Sequence, residues 1–557
     1  MYVDGRKIPG GSILEADVCV VGGGPAGITI VMELMKSSVS TILVESGGRR
    51  PNSTIQSLNN GEVPPGSVHP PANMYRERRL GGSSTIWGGR CVPLTPSDFQ
   101  ARPHVANSGW PFRYDDLVAY YRRAMVYCEA GEFEFDRDCL RAPGPMFEGF
   151  TSTEIEVGLE RFSPPTDFGK RYAADLSRSG RHKVLLNSTC TCLLTSASGR
   201  SIAEIECLTL SGNKFCVRAK YFVLASGGLE SVRLLAASNR TYATGIANSS
   251  GLVGRYYMSH LEGILGQLRV PPGRHVAWDF EQTLDGVYTK RHLRLSNSVQ
   301  RDHHLRNTIV RLHHANPIDP SHDDPVLSLM FIAKRFILPE YRRKIATVEL
   351  DALARTPNGT ALLLRHAANI LKRPWPLVRF LTTWIPRRHL QYRRIPYVAL
   401  HSRTGTYPLD YNAEQTPLYE SRVVLLPDRD RFGVPRIAID WRVSPMDIES
   451  IADTYRLMQR AIGLSGAATM AFDDSTLMEK ARSTIPVGGH HIGTARMSED
   501  PRRGVVDAQC RTHDMKNLYI AGSAVFPTSG SANPTLTIVA LAVRIADHIR
   551  ATLGERP

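Results

Sequence analysis

Apolar positions along the chain fall into short runs divided by glycine, proline and charge. Residues 16–21 (ADVCVV) form a β-rich run that stops at Gly22-Gly23-Gly24-Pro25-Ala26-Gly27, and residues 28–35 then carry apolar side chains at helical spacing. A second β-rich run, residues 40–44, ends at Glu45. The order predicts a strand, a tight glycine turn, a helix and a second strand. Residues 183–220 are β-rich, and residues 221–226 read as a strand leading into a helix. Two strands are expected at 422–426 and 436–441 around a turn at 427–433. Near the C-terminus, residues 517–520 predict a strand and 521–531 a loop of small residues. A helix should follow, opened by Pro534 in its first turn and ending near Ile549.

The first of these units has the spacing of a dinucleotide-binding fold. Gly22 permits the tight turn, Gly24 lets backbone amides approach a pyrophosphate at the positive helix end, and Gly27 lets helix and strand pack closely. Glu45 is placed to accept hydrogen bonds from a ribose diol, which disfavours a 2′-phosphate and so NADP. FAD and NAD remain.

The 557 residues are 42% apolar and 22% charged, which excludes collagen, coiled coil and a wholly disordered chain. Apolar runs such as 536–543 are cut by a charge, here Arg544, well short of the ~20 residues of a membrane span. The basic N-terminal stretch runs into the glycine loop without a cleavage-site pattern, so a mature cytoplasmic start is expected. Nine scattered cysteines support neither a disulfide framework nor a metal site. The net charge of +15 bears on steering rather than fold, and no nucleic-acid motif accompanies it. Part of the excess lies in 365–394, where Arg and Lys interleave with Trp375, Phe380 and Trp384. That stretch could touch a membrane surface, although Pro374, Pro376 and Pro386 break any long amphipathic helix. A solvated excursion is the alternative.

Four further motifs stand in order: RLGGSSTIWGGR at 79–90, FVLASGGLESVRLL at 222–235, PVGGHHIGTARM at 486–497 and GSANPTLT at 530–537. With the glycine turn they resemble the glucose-methanol-choline (GMC) family of flavin-dependent alcohol oxidoreductases. The resemblance implies an α/β chain, α+β overall, with a discontinuous Rossmann-like FAD-binding domain and an inserted substrate domain on a mainly antiparallel sheet. Its expected segments are 12–100, 181–260 and 485–557 for FAD, 101–180 as a connecting cap and 261–484 for substrate.

By that resemblance His490 is the general base, a neutral imidazole being suited to take a hydroxyl proton. Asn533 is its partner, able to donate to the substrate oxygen without competing for the proton. His491 should point away and support from behind. FAD contacts are expected at Gly22, Gly24, Pro25, Ala26, Gly27, Glu45, Gly82, Ser83, Trp87, Gly522, Ser523, Asn533, Pro534 and Thr535. Ile86 stands where covalent members carry a histidine, so dissociable FAD is expected, with no metal. Glu230 reads as a carboxylate favoured in the first turn of a helix, and His260 as structural, with any role positional.

The implied reaction is hydride transfer from a CH–OH group of a sugar, glycoside or polyol to flavin N5. The acceptor would be external: oxygen, a quinone or a redox protein. The alternatives are a hydrophobic alcohol such as a sterol, terpenoid or tailoring intermediate, a non-redox lyase, and a basic surface-binding protein on a flavin scaffold.

Overall fold

In the computed structural model, residues 1–178, 180–336 and 359–554 are described. The apolar run at the start becomes the strand Ile13–Val21, and proline at the first helical position opens the helix Pro25–Leu34. The strand Thr41–Val44 lies parallel to the first. Around this unit grows an eight-stranded sheet in the order Tyr2–Asp4, His182–Leu186, Thr41–Val44, Ile13–Val21, Lys214–Leu224, Ile202–Leu208 and Thr189–Thr195. Leu518–Ile520 adds to Lys214–Leu224 in parallel. Segments near residues 20, 200 and 520 thus share one sheet, which is therefore discontinuous in sequence.

The helix Thr535–Thr552 packs on Pro25–Leu34 and on Asp115–Cys128. Leu536, Val539, Ala540, Val543, Ala546 and Ile549 on it are all buried. An apolar run of this kind is explained by burial in protein, and among the described residues no helix is long and apolar enough to cross a membrane.

The second sheet has nine strands, all paired antiparallel. Its main order is Thr469–Ala471, Leu261–Arg269, Thr406–Ala413, Thr308–Leu312, Tyr288–Leu295, Ile155–Phe162 and Arg90–Cys91. Two of these strands fall outside the expected 261–484 segment: Arg90–Cys91 in the first FAD segment and Ile155–Phe162 in the connecting cap. They complete the sheet edge, and Glu160 on the second of them meets Arg311 across the sheet.

Alternation separates the two faces of this sheet. Val157, Leu293, Val310, Leu409, Tyr411 and Leu261 point to the long helix Pro445–Ser465 and form an apolar core with Ile451, Tyr455 and Met458. The opposite face carries Glu160, Lys290, His292, Arg311, Asp410, Asn412 and Glu262, by the pairings Glu160↔Lys290, Arg311↔Asp410 and Glu262↔Asn412.

The strands expected at 422–426 and 436–441 form a hairpin of their own, Arg422–Arg429 with Pro435–Asp440. It packs on the helix Gly228–Ala237 instead of joining the antiparallel sheet. The prolines of 365–394 divide rather than abolish helix. Gly359–Lys372 ends before them, and Pro374 and Pro376 sit in the first turn of Pro374–Ile385, where a missing N–H is tolerated.

Candidate functional site

The glycine turn is shaped by close contact. Gly22 has φ +113°, and a Cβ there would lie 2.5 Å from the Ala225 carbonyl oxygen. A Cβ on Gly27 would lie 2.0 Å from the Gly22 carbonyl oxygen, so helix and strand meet at van der Waals limits. Gly24 differs. A Cβ there, or on Gly227 or Gly522, meets no protein atom within 4 Å, because all three border a cavity of about 580 Å³. Every expected contact residue lines this cavity except Gly27, which packs behind the turn. His490 and His491 line it too.

The two carboxylate oxygens of Glu45 accept from the Gly23 N–H (2.7 Å) and the Gly47 N–H (2.8 Å). Burial pushes its carboxyl pKa up. Gly82 and Ser83 begin the short turn Gly82–Thr85, and the Trp87 indole N–H is anchored on the Thr166 carbonyl at 2.9 Å. Pro534 caps the helix Thr535–Thr552 with no side-chain hydrogen bond to its first amides. Two helix N-termini, Gly24-Pro25 and Pro534-Thr535, thus open on one long cavity with glycine walls and an acid at the end of a strand. Such a cradle fits a dinucleotide with a flat ring.

His490 reaches the cavity through strand pairing. Leu261 pairs with Pro486, Val487 N–H donates to the His260 carbonyl at 2.9 Å, and Met258 and Ile492 exchange backbone hydrogen bonds. The two segments therefore lie side by side and bring His260 to His490. His260 Nδ1 is 2.7 Å from His490 Nδ1, and its Nε2 is 3.1 Å from the Ser529 carbonyl. Asn533 Nδ2 is 3.1 Å from His490 Nε2.

These contacts set the tautomers. A carbonyl only accepts, so His260 Nε2 carries the proton and its Nδ1 is bare. His490 must then donate from Nδ1, which leaves a lone pair on Nε2 facing the Asn533 amide. Both rings are neutral in this arrangement. Burial lowers the His260 pKa to about 4, and burial together with the neighbouring imidazoles and arginines lowers that of His490 well below the ordinary value. His491 turns the other way: its ring stacks on Tyr257 and its carbonyl accepts from Ser523 Oγ at 2.7 Å.

A second cavity of about 270 Å³ shares Arg90, Glu262, Tyr397, Val487, His490 and Asn533 with the first. His490 and Asn533 therefore stand where the two meet. Lys290, Arg311, Asp410 and Asn412 from the charged sheet face, with His313, complete its lining. Beneath it, fully buried Glu160 bonds Arg311 at 2.7 Å and Arg90 at 3.1 Å. Burial alone would raise the Glu160 pKa, but the two guanidiniums hold it down to about 2. Burial and the nearby Asp410 push Glu262 up to about 7. Among the described residues the Lys290 ammonium and the Glu262 carboxyl have no hydrogen-bond or ion-pair partner; Lys290 lies 5.1 Å from the centre of the Tyr397 ring.

Sequence reasoning missed this polar floor. Its signal is present in Lys290, His292 and Arg294, which occupy alternate positions, and in Arg311 within an apolar strand. Glu230 does begin a helix, but it is also bound to Arg78 at 2.6 Å, Arg233 at 3.1 Å and Arg76 at 3.2 Å, and with Arg76 and Arg78 it lines the cavity wall.

Residues 417–542 match a family model described as GMC oxidoreductase. Paromamine 6′-oxidase of Streptomyces fradiae is 23% identical, with 97% of this chain and 92% of that protein aligned. The fructose dehydrogenase large subunit of Gluconobacter japonicus is 24% identical over 97% and 99% of the two chains. Among solved structures, pyridoxine 4-oxidase from Mesorbium loti superposes with a TM-score of 0.55 at 16% identity, covering 97% of this chain and all of that one.

Proposed function

We propose that this chain, whose relatives are GMC oxidoreductases acting on CH–OH groups, is an FAD-dependent oxidoreductase of a sugar, glycoside or polyol-like alcohol. The observation that carries this reading is the pair His490 and Asn533 at the junction of the two cavities. FAD would lie along the larger one, held by the glycine turn, Glu45 and the helix end at Pro534. When bound, it supplies a two-electron acceptor for hydride from the alcohol carbon. Ile86 offers no nucleophile for a covalent link, so the cofactor is read as dissociable.

His490 Nε2, bare of its proton, takes the proton of the substrate hydroxyl. The Asn533 amide, now on His490 at 3.1 Å, donates to the substrate oxygen once an alcohol enters between them. His260 holds the imidazole by its far nitrogen, which keeps the lone pair aimed at the alcohol.

The smaller cavity favours a polar substrate over a sterol or terpenoid. Hydroxyl groups can satisfy the Lys290 ammonium and the Glu262 carboxyl, whereas a hydrocarbon would strip water from both and return nothing. The relatives oxidise molecules named as paromamine and fructose, in keeping with that chemistry.

The test is an anaerobic screen of sugars, amino sugars and apolar alcohols by bleaching of the flavin, followed by reoxidation with air or a quinone. A polar alcohol should bleach the wild type, and His490→Ala should keep the yellow cofactor while losing about 100-fold or more in reduction rate. Near-normal bleaching in that variant would remove His490 as base. Bleaching by sterols alone would remove the polar-substrate reading.

A further inference from the structure

The helix Pro374–Ile385 has twelve residues, one charge (Arg379) and no buried side chain. In a folded domain an apolar helix normally hides one face. Here Trp375 is 76% exposed and Leu371, at the end of the preceding helix, 79%. Leu364 stands seven residues before Leu371 on the same face of Gly359–Lys372, while Val378 and Ile385 continue the side of Trp375. These five exposed apolar side chains thus recur at helical spacing.

The inner side is anchored. Phe380 stacks on Trp384 at 5.8 Å, and Trp384 packs against the cluster of Phe162, Phe280 and Ile395 beside the pocket residue Tyr397. The outer stripe is therefore not the core of a misplaced helix but a face held outward by its partner side.

Charge identifies what would cover it. Between Gly359 and Arg394 there are eight Lys or Arg residues and no Asp or Glu, and Arg365, Lys372, Arg379 and Arg394 are exposed next to the apolar stripe. A second copy of the chain docking through this face would set the same cations against each other across a two-fold axis. Nucleic acid would satisfy the cations and could stack on Trp375, but it gives nothing to exposed leucine, valine and isoleucine. Apolar stripe, exposed tryptophan and flanking cations together match the interface of an anionic bilayer, where aliphatic side chains enter the acyl boundary and basic ones stay at the headgroups. We propose that Gly359–Lys372 and Pro374–Ile385 form a docking surface for anionic lipid, lying on the membrane without crossing it.

The experiment uses the holoprotein and flotation with vesicles of phosphatidylcholine and phosphatidylglycerol, against phosphatidylcholine alone and against a single-stranded RNA. The expected result is flotation with the anionic vesicles only, weakened by salt and reduced about tenfold or more in Leu371→Ser/Trp375→Ser, with Trp375→Phe retaining it. Substrate-driven bleaching should be unchanged in these variants, which lie outside the catalytic machinery; the vesicle assay itself does not depend on that activity. Absence of flotation, equal flotation by the double serine variant, tighter binding to RNA than to anionic vesicles, or a dimer that dissociates on the same substitutions would each overturn the proposal.

Discussion

The proton on His490 is placed by two groups behind the ring, His260 and the Ser529 carbonyl. Ser529 offers a carbonyl, His260 must point its N–H there, and the basic nitrogen of His490 is decided one bond further on. Removal of His260 would let both tautomers and other ring angles compete, and misplacement of this size costs about 10- to 100-fold in rate. The sign of the pH effect follows from the cause. On the proposed role of His490 as base, flavin reduction requires its neutral form, and its pKa is lowered first by burial and then by the His260 ring. The acid limb of flavin reduction should therefore lie below the ordinary histidine value of about 6.5, and in His260→Ala it should move upward, toward that value. A stopped-flow pH profile of both proteins checks this. An unmoved limb with a lower rate would mean that His260 acts through packing alone.

The βαβ unit at the N-terminus was legible because everything that defines it is local. Gly22, Gly27 and Glu45 lie within one strand–helix–strand passage, and their spacing states the turn directly. The prediction attached to that unit is correspondingly simple. Gly27→Ala forces a Cβ to within 2.0 Å of the Gly22 carbonyl oxygen, so helix Pro25–Leu34 must move off the strand. We expect a loss of about 1–3 kcal/mol in stability and a larger fall in cofactor retention, read as the ratio of flavin to protein absorbance after purification. Normal flavin content would show that the turn has slack. The polar floor was not legible for the opposite reason. Arg311 and Glu160 are 151 positions apart, and His260 and His490 are 230 apart. Each relation depends on strand register, and period-two alternation says which residues share a face without saying which face meets a cofactor. The hairpin was read as strands for its local pattern, yet its separation from the large sheet depends on a contact with a distant helix.

That contact bears on the whole molecule, since the helix Gly228–Ala237 begins on the cavity wall and its far side receives the hairpin. Arg233 makes the joint. Its guanidinium bonds Asp430 at 2.6 Å, the carbonyls of Pro435 at 2.6 Å, Val434 at 3.0 Å and Leu58 at 3.2 Å, and Glu230 at 3.1 Å. The side chains of Arg233 and Asp430 are only 3% and 2% exposed. A pair so buried is not by itself proof of stability, because desolvation opposes the attraction. What is strongly unfavourable is half of it. Arg233→Ala leaves the buried Asp430 carboxylate without its cation, held only by the Phe432 and Val434 N–H groups, and should cost about 3–5 kcal/mol, seen as a lower midpoint for thermal release of flavin. Replacing both, as Arg233→Met with Asp430→Leu, removes the stranded charge and should recover part of that loss. If the double variant is as unstable as the single one, the carbonyl contacts of Arg233 hold the hairpin to the cofactor domain and the ion pair adds little.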